Sequence, residues 1–167
     1  FQMTHSTYRP LFVADSAGGY VEATHDEILS IASVVADLQY ANGPTFTDPK
    51  LVRGYLSLKL RGRPNEVFMG LFLNSQNRLI EARELFQGTI NAAAVYPREI
   101  ARQALQLNAA GIIIAHNHPS GVPTPSHADE RVTMDLKATL RLIDVVLLDH
   151  FVVGRTETVS FAESGLL

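Results

Sequence analysis

Apolar residues recur every three or four positions early in the chain, at Ile28, Ile31, Ala32, Val35 and Leu38. This spacing is typical of the buried face of a helix, and it predicts a helix over residues 24–38. Thr24 can cap its start together with Glu27 three residues later, and Gly43-Pro44 can end it. The first clear helical segment of the chain therefore lies within residues 24–38.

The segments on either side of this helix differ in pattern. Met3–Glu22 is mixed and contains Gly18-Gly19, so we expect an irregular arm there. Pro49–Leu60 has a helical pattern, with Asp48 as its cap and proline in its first turn. Gly62 and a nearby proline end this second helix before the pattern changes.

The central region predicts a β-hairpin. Glu66–Leu73 is mostly apolar and predicts a buried strand, while Arg78–Phe86 predicts a second strand. Asn74–Asn77 between them is rich in turn-forming residues. The two strands are therefore expected to pair with each other.

The second half of the chain alternates helices and strands. The elements expected are a helix at Pro97–Leu107, a strand at Gly111–Ala115, a loop at Pro119–Pro125, a helix at Ser126–Ile143, and strands at Val145–Gly154 and Glu157–Phe161. This alternation favours a mixed sheet between two layers of helices, an α/β/α arrangement.

Composition narrows the class of protein. A chain of 167 residues that is 46% hydrophobic and 19% charged fits a single globular domain. The net charge of −3 does not indicate a general nucleic-acid binder. The absence of cysteine excludes disulfides and thiolate metal ligands. Phe1-Gln2-Met3 resembles the remnant of a cleaved purification tag before a start methionine, and we see neither a secretory signal nor a membrane span, so a cytoplasmic protein is expected.

Ligand-type side chains follow the apolar strand Gly111–Ala115. His116 and His118 lie two residues apart, and side chains at i and i+2 of an extended segment lie on the same side. Asp129 follows His118 after ten intervening residues. Two nitrogen ligands and one oxygen ligand with an open fourth position are typical of a catalytic zinc site. The pattern therefore predicts a metal site built on the two histidines, with Asp129 as the candidate third ligand.

The acid at this position has a second interpretation. Ser126-His-Ala-Asp129 also fits a capping box, and an acid in the first turn interacts favourably with the helix dipole. The two roles can coexist, because a helix start determines where the carboxylate points. Glu130 and Asp135 are alternative third ligands. Ser126 itself can cap the helix or donate to an oxyanion, and one hydroxyl cannot easily do both at once.

A catalytic zinc also requires a base that takes a proton from water, and a nearby carboxylate is the usual choice. Glu66, Glu81 and Glu84 are the candidates. Glu66 opens an apolar strand, so it would be held at a strand end beside the centre of the sheet. A solvated charge at a strand end is the alternative interpretation. The residues alone favour Glu66 and leave the other two open.

Taken together, these residues match a family pattern. His116-x-His118-Pro119, followed by Ser126-x-x-Asp129 and preceded by a glutamate at a strand start, resembles the JAMM (MPN-plus) metalloprotease motif, and more closely that of bacterial RadC-like proteins. Further stretches that resemble RadC-like proteins are Glu84–Ile90, Tyr96–Ile100, Ala115–Gly121, Asp149–Gly154 and Ser160–Leu167. The resemblance begins near residue 45. We therefore expect residues 1–44 to hold the tag remnant, arm and first helix, and residues 45–167 to form a RadC-like JAMM/MPN domain of the short form, without a helix-hairpin-helix module.

The resemblance implies a cytidine-deaminase-like α/β/α three-layer sandwich with a mixed sheet and one Zn²⁺ per chain. It implies that His116, His118 and Asp129 are the metal ligands, that Glu66 is the general base and that Ser126 is the hydroxyl on the oxyanion side. The expected reaction is metal-assisted hydrolysis of a peptide or isopeptide bond in a protein or peptide substrate. The chain has no cysteine for the ligand set of the zinc nucleobase deaminases. RadC-like proteins also carry a DNA-repair label, which does not by itself establish an activity.

Other functions compete with this interpretation. A basic run without an intervening acid is either a solvated helix face or a surface for weak association with DNA, and it comprises Lys50, Arg53, Lys59, Arg61 and Arg63. A metal-dependent nuclease is less favoured, because magnesium sites prefer oxygen ligands. A scaffold that only binds partners is a further alternative.

The remaining histidines say less about function. His150 follows Asp149, and we interpret the two as a hydrogen-bonded structural pair rather than as support for a metal ligand. His5, His25 and His127 are expected at the surface.

Overall fold

The computed structural model describes residues 10–41, 45–88 and 95–167. Within these ranges the strands are β1 (Phe12–Ala14), β2 (Tyr20–Glu22), β3 (Glu66–Leu73), β4 (Leu79–Gly88), β5 (Gly111–Asn117), β6 (Val146–Val153) and β7 (Thr158–Ser160). The helices are α1 (His25–Ala41), α2 (Pro49–Leu60), α3 (Pro97–Gln106) and α4 (His127–Arg141). No helix in these ranges is both long and apolar enough to cross a bilayer.

Five strands form one mixed sheet in the order β4-β3-β5-β6-β7. Only the β5–β6 pair is parallel, and the other three neighbouring pairs are antiparallel. The central strands β3 and β5 are buried along almost their whole length. Strands that are covered on both faces read as continuous apolar runs, which is the pattern their sequences show.

The sheet separates two hydrophobic cores. On one face, Val67, Leu71 and Ile113 pack with Leu56 of α2 and Ala36 of α1. On the other face, alternate residues of the same strands pack with α3 and α4, and the members of that core include Phe68, Ile112, Ile114, Ile100, Ala104, Leu136 and Leu140. The protein is therefore a three-layer α/β/α sandwich with a mixed sheet, which confirms the predicted fold class.

The observed elements follow the predicted ones except in the N-terminal arm and at the end of β5. The arm expected to be irregular contains a two-stranded hairpin, in which Val13 pairs with Val21. Its turn is stabilised by the Asp15 side chain, which accepts hydrogen bonds from the backbone of Ala17 and Gly19. The proposed tag remnant, His5 and the helix end at Gly43-Pro44 lie outside the described residues.

Strand β5 is longer than its apolar run. The prediction ended at Ala115, but the ladder continues because His116 pairs with Phe68 of β3 and with Val152 of β6, and Asn117 pairs with Val153. The first histidine is therefore held by strands on both sides rather than by a loop. This difference determines how rigidly it is placed.

Candidate metal centre

The two histidines lie at the end of β5, on the sheet face covered by α4. His116 is in the ladder and is 1% exposed. Its ring stacks on Phe68, with centroids 6.1 Å apart and an interplanar angle of 8°. His118 follows the strand, and its backbone N–H still bonds to Val153 O at 3.0 Å. The Nε2 atoms of the two rings are 2.9 Å apart, so both rings point to the same place.

Asp129 reaches the same place from the first turn of α4. Its Oδ1 is 3.3 Å from His116 Nε2, and its Oδ2 is 3.6 Å from His118 Nε2. The capping box is also formed, since Ser126 Oγ accepts from Asp129 N while Asp129 Oδ2 accepts from Ser126 N. The two interpretations of Asp129 are therefore compatible, because the cap orients the carboxylate that faces the histidines.

His116, His118 and Asp129, here called the metal triad, offer ligand atoms that all lie within 4.8 Å of one another. His118 Nδ1 lies 2.8 Å from Val122 O, and a carbonyl only accepts, so in the neutral ring Nδ1 carries the proton and Nε2 offers a lone pair. Two ring nitrogens and a carboxylate facing one point suit a cation with nitrogen and oxygen ligands. The residues present therefore fit a zinc ion.

The alternative third ligands face elsewhere. Glu130 lies 3.7 Å from the exposed ring of His127. Asp135 is exposed further along α4. Across the residues that the structure describes, the metal triad is the one group of three or more such side chains close enough to share an ion.

The pKa values of the three triad side chains depend on their burial and on the charges of their neighbours. Burial lowers the pKa of His116 to about 4, against the attraction of Asp129. The hydrogen bond to Asp129 raises the pKa of His118, although partial burial opposes this. Burial alone would raise the pKa of Asp129, but the two histidines and Ser126 together hold it well below its usual range. Asp129 is therefore ionised, as a metal ligand must be.

Glu66 lies beside the triad. Because Phe68 pairs with His116, extending the antiparallel register by two residues places Glu66 level with His118 and on the same face. Burial raises the pKa of Glu66; the charge of His118 opposes the shift and that of Asp129 adds to it. The carboxyl is therefore half-buried and electrostatically coupled to two members of the triad.

The other two candidate bases are engaged elsewhere. Glu81 bonds to the guanidinium of Arg83 at 2.7 Å, which lowers the pKa of its carboxyl. Glu84 forms an ion pair with Arg63 at 3.1 Å. Both carboxylates therefore have an arginine as their partner.

Asn117, between the two histidines, was missed by the sequence argument. Its side chain is buried, and its Oδ1 accepts from Val67 N at 2.8 Å. Its Nδ2 donates to Asn65 O at 3.0 Å and to Arg63 O at 3.4 Å. These bonds hold the backbone on both sides of Glu66. Its position between two ligand-type residues was the one signal that could have indicated this role.

The predicted Asp149–His150 pair is hydrogen-bonded, but through the backbone N–H of His150, while Asp149 also accepts from Ser160 Oγ. The ring instead places Nε2 2.9 Å from His116 Nδ1 and Nδ1 2.7 Å from Thr133 Oγ1. No sequence spacing links these three residues, which come from three different elements.

Three of the five basic residues in the run are ion-paired within the fold. Arg53 pairs with Glu163, Lys59 with Asp37 and Arg63 with Glu84. Arg61 donates to Ser57 Oγ and to Thr156 O. Most of the cations that the DNA interpretation relied on are therefore used within the fold.

The sequence is similar to known proteins over most of its length. A family model described as a RadC-like JAB domain matches residues 46–166. A UPF0758 protein of Methylibium petroleiphilum is 55% identical over 140 residues, which are 84% of this chain and 63% of that protein. A UPF0758 protein of Idiomarina loihiensis is 54% identical over 140 residues, again 84% of this chain and 62% of the relative. A UPF0758 protein of Vibrio cholerae is 50% identical over 145 residues, 87% of this chain and 91% of that protein.

The chain spans less than two thirds of the length of the first of these relatives. None of their names states an activity or a substrate.

Proposed function

This chain belongs to the family of RadC-like JAB-domain proteins, and we propose that it is a zinc-dependent hydrolase that cleaves peptide or isopeptide bonds. One observation carries the proposal. The metal triad converges on one point, and a half-buried carboxylate coupled to it, Glu66, lies beside that point. A triad with an open coordination position and a neighbouring base is the arrangement that metal-assisted hydrolysis requires.

His116 Nε2, His118 Nε2 and one oxygen of Asp129 would hold the ion. When bound, zinc supplies Lewis-acid chemistry, because it polarises a carbonyl and lowers the pKa of a water molecule towards about 7. The chain supplies the geometry. β5 holds one ligand in a strand ladder, and the capping box holds another at the start of α4.

Glu66 would act as the general base and then as the general acid. Its carboxylate takes a proton from the attacking water and later delivers it to the leaving amine nitrogen, so the carboxylate is regenerated in each cycle. Burial raises the pKa of Glu66, and a raised pKa makes a carboxylate a better proton acceptor near neutral pH.

Ser126 is proposed to donate to the oxyanion that forms on the substrate carbonyl. In this structure its hydroxyl donates to Asp129 Oδ2 at 2.7 Å and accepts from Asp129 N at 3.2 Å. The catalytic role therefore requires its proton to turn from Asp129 to the substrate. A hydroxyl can make this change by rotating about one bond, without moving the helix.

The substrate class is a protein or peptide. An amide carbonyl is the group that the proposed acid–base cycle accommodates, since the cycle ends with protonation of an amine. A nuclease fits the site less well, because phosphodiester cleavage by magnesium favours sites made of oxygen ligands, whereas two of the three here are histidines.

The first test is metal content, measured by plasma mass spectrometry on purified protein. We expect near one zinc per chain in the wild type and much less in His118→Ala and Asp129→Ala. A zinc content in Asp129→Ala equal to that of the wild type would show that Asp129 caps the helix and is not a metal ligand. No zinc in the wild type after zinc is supplied would overturn the hydrolase proposal.

The second test separates an enzyme from a scaffold. The zinc-loaded wild type is screened against a library of fluorogenic peptides, alongside Glu66→Gln and the control Glu84→Gln, which removes a carboxylate one strand away. We expect both variants to retain zinc, Glu66→Gln to lose activity and Glu84→Gln to keep it. Equal activity in Glu66→Gln and the wild type would exclude Glu66 as the base.

A further inference from the structure

A buried chain of hydrogen bonds runs from the metal triad into the protein. His116 Nδ1 lies 2.9 Å from His150 Nε2, and His150 Nδ1 lies 2.7 Å from Thr133 Oγ1. Thr133 Oγ1 lies 2.6 Å from the backbone carbonyl of Asp129. All three side chains are at most 1% exposed, so water cannot substitute for a missing partner.

The donor and acceptor of each hydrogen bond in this series follow from the final acceptor, the Asp129 carbonyl. The Asp129 carbonyl can only accept, so the single hydroxyl proton of Thr133 points to it. Thr133 Oγ1 must then accept from His150, which places the His150 proton on Nδ1. A neutral ring has one N–H, so His150 Nε2 accepts and His116 Nδ1 donates.

These proton positions determine whether His116 Nε2, the atom that faces the proposed metal position, carries a proton. With its only proton on Nδ1, the ring presents an unprotonated Nε2 towards Asp129 and His118. If the donors and acceptors in this series of hydrogen bonds were reversed, His116 Nε2 would carry a proton and could not bind the metal. We propose that His150 and Thr133 are positioning residues that select the metal-binding tautomer of His116.

The same series of hydrogen bonds connects the elements that carry the proposed ligands. His116 belongs to β5, His150 to β6, and Thr133 to α4, one turn after Asp129. The Thr133 bond therefore ends on the backbone of the third ligand. The His150 ring is fixed further by stacking on Phe161, with centroids 4.5 Å apart, and by its tilted contact with Phe68. Ring orientation and tautomer are thus both set by buried contacts rather than by the ion.

Variants of Thr133 and His150 test the inference without changing a proposed metal ligand. Thr133→Val keeps the shape of the side chain and removes the acceptor for His150. Thr139→Val is the matched control, because Thr139 on the same helix makes the same kind of bond, to Asp135 O at 2.8 Å, but has no hydrogen bond to a histidine among the described residues. His150→Phe keeps a ring that can stack on Phe161 and removes the acceptor for His116. His150→Gln restores an acceptor through its side-chain oxygen.

Zinc affinity is measured by competition with a chelator, together with thermal unfolding to verify folding. Loss of such a supporting partner typically weakens metal binding 10- to 100-fold. We expect that range in His150→Phe, a smaller loss in the same direction in Thr133→Val, recovery of most of the affinity in His150→Gln and no change in Thr139→Val. Equal affinity in Thr133→Val and Thr139→Val would overturn the inference.

The tautomer is read directly from two-bond proton–nitrogen correlation spectra of histidine-labelled, metal-free protein. We expect His116 and His150 to be protonated on Nδ1 in the wild type, and the Nδ1–H form of His116 to decrease in Thr133→Val. A proton on His116 Nε2 in the wild type would overturn the inference.

The inference rests on the proposed zinc site, but its failure can be recognised separately. If the wild type binds zinc and the His150 and Thr133 variants bind it equally well, only the positioning role of His150 and Thr133 is contradicted. Wild type that binds no zinc contradicts the proposed function, and the tautomer of His116 in the metal-free spectra still decides the inference.

Discussion

Asn117 Oδ1 accepts a hydrogen bond from the backbone N–H of Val67 at 2.8 Å. This bond joins the residue between His116 and His118 to the residue that follows Glu66. The Asn117 amide also donates to Asn65 O, just before Glu66. The backbone on both sides of the proposed base is thus bonded to the end of β5, next to the proposed metal site.

Asn117→Ala should separate metal binding from catalysis. The change leaves Val67 N–H and Asn65 O without partners in a buried place, which costs about 2–3 kcal/mol of unfolding free energy. The metal triad is untouched, so zinc should stay near one per chain. We expect turnover of a peptide found in the library screen to fall by roughly 10- to 100-fold, because Glu66 is displaced.

The control for this variant is Asn74→Ala. Asn74 Oδ1 accepts from the backbone of Gln76 and Arg78 at 2.9 and 3.0 Å, at the opposite end of β3. It should lower stability without lowering turnover. Wild-type turnover in Asn117→Ala would show that Asn117 does not place the base.

Gly154→Ala should weaken zinc binding from a distance. A Cβ at this position would lie 2.7 Å from Gly121 O and 2.9 Å from Pro123 Cδ, so the loop at residues 119–125 must shift. That loop carries Val122 O, the acceptor of His118 Nδ1–H. We expect a loss of zinc affinity of about 10-fold and of unfolding free energy of about 1–3 kcal/mol, measured by chelator competition and urea unfolding.

Gly54→Ala is the matched glycine control. Gly54 lies within α2, is exposed, and has nothing within 4 Å of the added Cβ. Alanine there should raise the free energy of unfolding by about 0.5–1 kcal/mol and leave zinc affinity unchanged. Unaltered zinc affinity in Gly154→Ala would show that the loop does not position His118.

The stability of the metal-free protein should depend on pH in two opposite ways. Burial lowers the pKa of His116 from 6.5 to about 4, so stability present above pH 6.5 is lost as pH falls towards 4. At about 1.4 kcal/mol per pKa unit, this residue accounts for roughly 3 kcal/mol. Burial also lowers the pKa of His150 well below 6.5, and its contribution has the same sign.

His118 acts in the other direction. Asp129 raises the pKa of His118 above 6.5, so its contribution is complete below that pH and is lost as pH rises through the raised pKa. These residues together should give a stability maximum near pH 6.5, measured by urea unfolding in chelator at a series of pH values. Stability that is constant between pH 7 and pH 5 would contradict the burial of neutral His116 and His150.

DNA binding should be weak. The ion pairs of Arg53, Lys59 and Arg63 with acidic residues of the fold reduce the charge available to phosphates. Fluorescence anisotropy with a short labelled duplex should show only weak binding at physiological salt, and replacing Lys50 and Arg61 by glutamine should leave it unchanged. Binding that falls steeply with salt and is lost in that double variant would favour the DNA alternative.

The sequence by itself determined much of this architecture and part of the site. Helical and strand periodicities predicted most of the elements, since burial of one face or of two faces leaves a local pattern. The i, i+2 spacing of His116 and His118 was enough to place both on one side of an extended segment. The capping pattern placed Asp129 at a helix start, where its direction is restricted. These features depend on neighbours in the chain, so they are visible without the fold.

Only the tertiary structure decided which distant groups join them. The sequence and its resemblance favoured Glu66 over Glu81 and Glu84, but only the structure shows the β3–β5 register that sets Glu66 level with His118 and the arginine partners of the other two acids. His150 and Thr133 meet His116 because α4 packs over β5 and β6. Strand register and helix packing are set by the whole core, and hydrogen bonds between separate elements leave no periodic trace in the sequence.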